Sequence, residues 1–260
     1  MKFNAFWVEK TESGFERSII ERDVEELPEG DVLIDVAYSS LNYKDGLSAS
    51  GSPGVTRNYP HTPGIDAAGI VAESSSAKFS QGDEVIVIGF DLGMNTSGGF
   101  GEMIRVPSDW VVKMPEGLDL RSSMIIGTAG FTAAECIQKF EMAGLSKDAG
   151  PVLVTGATGG VGSVAVKLLA QMGHEVHAVT GKSDKKDFLI SLGASEVLSR
   201  DRIMEGIEKP LLKETWAGVV DTVGGDMLFN ALKSLRYGGS LAACGLVGGP
   251  SFSATVLPFI

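Results

Sequence analysis

The chain has 260 residues, 43% hydrophobic and 21% charged, with 34 glycines and a formal net charge of −11. It is globular and long enough for one large or two ordinary domains. A broad nucleic-acid footprint is excluded, because phosphate backbones need clustered Lys and Arg, whereas a small phosphorylated ligand needs only a local patch.

From residue 1 to about 120 the sequence shows short β-like runs broken by Gly, Pro and Asp: DVLIDVAYSS, GIDAAGIVAE, GDEVIVIGF and MIRVPSDWVVKMP. Strands at that spacing predict a small β barrel or sandwich. Between the first two runs lies SSLNYKDG, residues 39–46. Asn42, Tyr43, Lys44 and Asp45 are too polar for a strand core. They read either as a strand cap, since Asn and Asp commonly satisfy turns, or as a functional cluster.

After about residue 121 the period changes. MIIGTAGFTAAECIQKF predicts a helix over Met124–Phe140, and PVLVT an apolar strand. VGSVAVKLLAQMG places Val161, Val164, Ala165, Leu168, Leu169 and Met172 on one stripe of an amphipathic helix. EVHAVT is a second strand and SDKKDFLISLGA a second helix closed by Gly193. EVLS, WAGVVDTVG and GGSLAACG follow as three further strands, with the helix MLFNALKSL before the last. This alternation implies a parallel sheet with helices on both faces. The expected division is 1–120 and 121–260. Of the two cysteines, Cys244 sits in the apolar run SLAACG and reads as a buried thiol. Cys136 lies in another segment, so neither a zinc spacing nor a disulfide framework is present. No secretory leader follows Met1 and no apolar run reaches membrane-spanning length. The expectation is a cytoplasmic protein without nucleic-acid or membrane partners.

The strongest motif is VLVTGATGGVGSVAV, residues 152–166. Gly156, Gly159 and Gly162 are spaced G-x-x-G-x-x-G, with Gly160 in addition. The loop follows an apolar strand and opens an amphipathic helix, the context that a dinucleotide site requires. A pyrophosphate must approach the backbone closely there, and the helix N-terminus offers free N–H groups. An NAD-selecting fold places a carboxylate about 20 residues on, at the tip of the second strand. Here Thr180, Gly181, Lys182 and Ser183 occupy that tip, and Arg200 follows the third strand. A Lys/Arg/Ser cluster binds a 2′-phosphate that a carboxylate would repel, so NADPH is the expected cofactor. Lys185 and Lys186 read as a solvated helix face.

SSLNYKDGL, RNYPHTPGIDAAG, MIIGTAGFTA, VTGATGGVGSVAV, WAGVVDTVGG, YGGSLAACGLVGG and TVLPFI together span nearly the whole chain. On these segments the sequence resembles the medium-chain dehydrogenase/reductase superfamily. Within it, the likeness is to the zinc-free, quinone-oxidoreductase-like branch and its acryloyl-CoA reductase subfamily. The resemblance implies an α/β fold with a GroES-like β-rich domain packed on a doubly wound Rossmann sheet, and an active site in the cleft between them. Zinc-dependent relatives carry Cys at the position of Asn42 and Gly-His-Glu at Gly64-Ile65-Asp66, with a third ligand near Ile125 or Ile126. These replacements bind zinc poorly, and His61, His174 and His177 are not placed to substitute, so no metal is expected. By position, the family's cofactor contacts fall on Tyr43, on Thr158, Gly159, Gly160 and Val161, on Thr180, Gly181 and Lys182, and on Arg200, Leu246 and Ile260. Relatives continue past TVLPFI, so the sheet is expected to lack its last strand. A homodimer would then be without its usual interface strand.

The resemblance implies hydride transfer to the β-carbon of an α,β-unsaturated thioester, acryloyl-CoA giving propanoyl-CoA. Candidate donors to the developing enolate are the Asn42 amide, a backbone N–H and a cofactor ribose hydroxyl; Tyr43 would flank the nicotinamide and donate a hydrogen bond, and Asp66 would hold Asn42 or a water in place. Asp45 reads as a structural anchor and Lys44 as outward-facing. The alternatives are an NADPH-dependent quinone or enone reductase, and a non-enzymatic NADPH-binding homologue.

Overall fold

A computed structural model describes residues 1–260. The chain forms two compact units, Met1–Thr128 and Ala129–Ile260.

The first unit opens with an antiparallel hairpin, β1 (Lys2–Thr11) and β2 (Gly14–Asp23), running in register from Lys2 opposite Asp23 to Thr11 opposite Gly14. The β-like runs contain β3 (Val32–Tyr38), β4 (Asp66–Ser74), β5 (Glu84–Ile88), β6 (Met103–Val106) and β7 (Val111–Lys113). They form one antiparallel sheet in the order β6-β3-β4-β5-β7. Val32, Ile34, Val71, Val85, Val87, Ile104 and Val106 are buried together. They alternate along their strands because successive side chains point to opposite faces. After β3 the chain makes a seven-residue helix, α1 (Tyr43–Ala49). The polar cluster 42–46 therefore opens a helix, while β3 has already ended at Tyr38.

The helix expected over Met124–Phe140 belongs to α2 (Leu120–Met142), which is broken at Gly127, where φ is 49° and ψ −160°. The sequence suggested a continuous helix because its apolar pattern runs through the break. The cause is Gly127 itself, in a conformation that only glycine adopts easily.

The second unit continues with β8 (Val152–Val154), α3 (Gly160–Gln171), β9 (Val176–Thr180), α4 (Lys186–Leu192), β10 (Glu196–Ser199), α5 (Arg200–Met204), β11 (Trp216–Asp221), α6 (Gly225–Leu232) and β12 (Leu235–Ala243). The five strands are parallel, in the order β10-β9-β8-β11-β12. Strand order reverses between β8 and β11, the kind of switch point at which open α/β sheets bind ligands. Val152, Val154, Ala165, Val166, Leu169, Ala178 and Val220 pack on one side. Leu153, Val179, Val219, Met227 and Ala231 pack on the other. With both faces covered, the strands read as continuous apolar runs.

Gly193 closes α4 in the left-handed conformation, with φ 108°. The stripe expected on α3 is rotated. Gly162, Ala165, Val166 and Leu169 are its buried residues, and Met172 is 40% exposed. A Cβ on Gly162 would lie 2.4 Å from the Gly156 carbonyl oxygen. The glycine face thus turns inward, and the larger Val161 and Val164 take the flanks.

Candidate active site

In the first unit the site centres on Asp66, the first residue of β4, which is fully buried. Its Oδ2 accepts hydrogen bonds from the Ser40 hydroxyl, from Asn42 Nδ2 at 2.9 Å and from the Thr128 backbone N–H at 3.0 Å. The Thr128 hydroxyl donates to Oδ1 at 2.5 Å, and the Ser39 hydroxyl to the Asp66 carbonyl at 2.7 Å. A buried carboxylate needs such donors, because each lone pair left unpaired costs desolvation energy. The Thr128 N–H is available because the helix breaks at Gly127. A Cβ on Gly127 would lie 2.7 Å from both Asp66 Oδ2 and Ser40 Oγ, so the site also requires glycine for space.

Asn42 stands at the N-terminus of α1 in an extended conformation, with φ −117° and ψ 154°. Its backbone N–H donates to Asp45 Oδ2 at 2.7 Å, and Asp45 Oδ1 accepts the Ile65 N–H at 2.9 Å. Asp45 thus ties the start of α1 to the residue before Asp66. Burial raises the Asp45 pKa above its ordinary value; the bonds from Asn42 and Ile65 oppose this, and the neighbouring Asp66 charge adds to it. Tyr43, the first residue of α1, is 57% exposed with its hydroxyl free. Lys44 is exposed too. Asn42, Tyr43 and Asp66 are therefore gathered in one place. Ser40 and Thr128, which share Asp66 with Asn42, were not singled out from the sequence. The Gly-Thr pair inside an apolar helix pattern was the available signal.

In the second unit the glycine-rich loop lies at the carboxyl end of β8, beside the switch point. Gly156 has φ +58° and leaves no room for a side chain, since a Cβ would lie 2.2 Å from Thr222 Oγ1. A Cβ on Gly159 would meet only the Gly156 oxygen, at 3.2 Å. The backbone N–H groups of Gly160, Val161 and Gly162 have no acceptor within the chain, as expected for a first helical turn. This is a fitting cradle for a pyrophosphate.

The Thr158 hydroxyl lies 3.3 Å from that of Thr180, which accepts the Lys182 N–H at 3.0 Å. Gly181 lies under Arg200, and a Cβ there would be 2.7 Å from the Arg200 Nε. Arg200 opens α5, so the ends of β9 and β10 bring Thr180, Gly181, Lys182 and Arg200 together. Neither Lys182 nor Arg200 has a carboxylate partner, whereas Lys185 pairs with Asp184 at 3.4 Å. Leu246 is half-exposed on the segment after β12; a Cβ on Gly224 would lie 3.0 Å from its Cα. Ile260 is elsewhere. It is 86% exposed and lines a cavity of about 740 Å³ with Leu228, Tyr237, Phe252 and Leu257.

The residues do not fit a catalytic zinc, which needs about three Cys, His or carboxylate ligands. The Asn42 amide donates to Asp66, and both Asp66 oxygens already accept hydrogen bonds. Ile65, Ile125 and Ile126 have no donor atoms on their side chains, and no three His, Cys, Asp or Glu residues are grouped to hold a metal ion.

Two family patterns match the chain: "Alcohol dehydrogenase GroES-like domain" over residues 28–116 and "Zinc-binding dehydrogenase" over 160–259. The chain is similar to the acrylyl-CoA reductase AcuI of Ruegeria pomeroyi, with 48% identity across 99% of this chain and 79% of that one. YhfP of Bacillus subtilis, named provisionally as a quinone oxidoreductase, is 47% identical over 99% of this chain and 78% of its own. Its crystal structure with NAD bound matches at a TM-score of 0.95, covering 100% of this chain and 79% of that one at 46% identity. The crystal structure of Escherichia coli YhdH with bound NADPH also matches at 0.95, with 48% identity over 98% of this chain and 79% of that one. The chain belongs to the medium-chain dehydrogenase/reductase superfamily of oxidoreductases, in the branch that contains the acrylyl-CoA reductases and their quinone-oxidoreductase-like relatives.

Proposed function

We propose that this protein uses NADPH to reduce the activated carbon–carbon double bond of acryloyl-CoA, giving propanoyl-CoA without a catalytic metal. The observation that carries this reading is the 48% identity to AcuI across 99% of the chain.

NADPH, when bound, supplies the hydride. The N–H groups of Gly160, Val161 and Gly162 bind its pyrophosphate at the N-terminus of α3, beside Thr158 and Gly159. Lys182 and Arg200 bind the 2′-phosphate. Because YhfP has been crystallised with NAD, overall likeness does not select between the two cofactors. The unpaired cations Lys182 and Arg200 at the ends of β9 and β10, with no carboxylate at the β9 tip, favour NADPH.

Reduction places negative charge on the thioester oxygen as an enolate, and hydrogen-bond donors must stabilise it. Asp66 accepts from the Asn42 amide and so orients that group as the donor to the oxygen. The free Tyr43 hydroxyl donates beside it. The α-carbon takes its proton from water.

The test is NADPH oxidation, after dialysis against a chelator, with acryloyl-CoA and a benzoquinone side by side. The likeness to YhfP supports a second reading in which a quinone is the better substrate. Greater kcat/KM with acryloyl-CoA supports the first reading; greater kcat/KM with the quinone supports the second.

A further inference from the structure

Asp221, the last residue of β11, is a carboxylate at the end of an otherwise apolar strand, and it is fully buried. Nothing in the proposed chemistry uses it. Its Oδ1 accepts the Thr155 hydroxyl at 2.6 Å. Its Oδ2 accepts the backbone N–H groups of Gly224 at 2.7 Å and Val223 at 3.3 Å. Its carbonyl accepts the Cys244 N–H at 2.9 Å and the Cys244 thiol at 3.3 Å. Thr155 immediately follows β8 and precedes Gly156 of the glycine-rich loop. Its hydroxyl also accepts the Thr222 N–H at 3.0 Å, and its carbonyl the Thr222 hydroxyl at 3.0 Å.

One residue therefore ties together the loops that follow β8, β11 and β12, across the point where strand order reverses. The tie bears directly on the phosphate loop, because Gly156 and Thr222 Oγ1 leave no slack between them.

We propose that Asp221 is a positioning residue for the cofactor: through Thr155 it fixes the glycine-rich loop in the shape that receives the pyrophosphate, without touching the cofactor itself. The proposal rests on the NADPH reading above. An acceptor-only group is required, because Asp221 receives bonds from a hydroxyl and two backbone N–H groups. In Asp221→Asn the side-chain NH2 must face either the two backbone donors or Thr155. In the second case the Thr155 hydroxyl loses its own acceptor.

The test compares the dissociation constants of NADPH and of adenosine 2′-monophosphate, which lacks the pyrophosphate but keeps the group that Lys182 and Arg200 bind. Asp221→Asn and Thr155→Val are each expected to weaken NADPH about tenfold, the loss of one charge-assisted hydrogen bond. Adenosine 2′-monophosphate should change by less than about twofold, since it bypasses the loop. Thr155→Ser, which keeps the hydroxyl, should bind both ligands as the unmodified protein does. If Asp221→Asn does not fold, the contrast between Thr155→Val and Thr155→Ser decides. Equal weakening of both ligands, unchanged NADPH affinity, or tighter binding in Asp221→Asn from relief of charge repulsion would overturn the proposal. Failure of the unmodified protein to bind NADPH is a different result, visible before any variant is made, and it overturns the cofactor reading itself.

Discussion

Asn42 Nδ2 donates to Asp66 Oδ2 at 2.9 Å. The carboxylate accepts only, so it dictates which end of the amide faces it. Ser40 and Thr128 hold the same carboxylate from other directions. Asn42 is therefore fixed twice, by its side chain on Asp66 and by its backbone on Asp45. Fixed donors stabilise developing charge without reorganising during the reaction.

Replacing Asn42 by Ala removes that donor while leaving the glycine-rich loop untouched. The expected result is a fall in kcat of about 100-fold, the usual effect of losing one oxyanion donor. NADPH affinity should stay within about twofold, because no pyrophosphate contact is lost. Steady-state kinetics with saturating cofactor separate the two.

Gly127→Ala tests the helix break. Alanine at φ 49° is strained, and its Cβ would enter the space between Asp66 Oδ2 and Ser40 Oγ. A loss of about 2 kcal/mol in unfolding free energy is expected, read by denaturant unfolding. Activity should fall as well, because relief of the clash moves Thr128 or Asp66.

Arg200→Ala bears on cofactor choice. Loss of the guanidinium over Gly181 should lower kcat/KM for NADPH by about tenfold or more. The value for NADH should be nearly unchanged. An equal loss with both cofactors would mean that Arg200 supports the fold of this strand end instead of reading the phosphate.

His61 gives a pH dependence of stability. It is buried, and its Nε2 lies 2.9 Å from the Gly93 carbonyl. Burial lowers its pKa below the ordinary 6.5, against opposing effects from Gly93 and Asp91; Arg22 lowers it further. Below pH 6.5 the unfolded chain gains a proton that the folded chain refuses, so stability falls as pH drops from 6.5 toward the depressed value. Below that value the loss levels off. His61→Gln should flatten this part of a thermal-unfolding profile taken from neutral to acidic pH.

Much of the second unit was legible because its signals are local: an apolar strand, glycines at fixed spacing, then a helix. The strand tip Thr180–Lys182 and the distant Arg200 could be paired because parallel βα units bring successive strand ends together. The residues that were not legible act across the sequence. Asp66 meets Thr128 across 62 positions, and Asp221 meets Thr155 across 66. No periodicity announces either contact. The β1–β2 hairpin escaped because Phe3, Ala5 and Val8 on β1 do not alternate strictly, and the one buried side chain of β2 is the charged Arg22. The break at Gly127 is hidden inside an apolar pattern that fits a continuous helix equally well.

The proposed reaction passes hydride from NADPH to the β-carbon of the unsaturated thioester. The direct measurement is turnover of acryloyl-CoA with NADPH deuterated on the transferring position of its nicotinamide, followed by mass spectrometry of the product. The expected product is propanoyl-CoA carrying one deuterium on the β-carbon for each NADPH consumed. Unlabelled propanoyl-CoA, deuterium on the α-carbon, or no propanoyl-CoA at all would contradict this reaction.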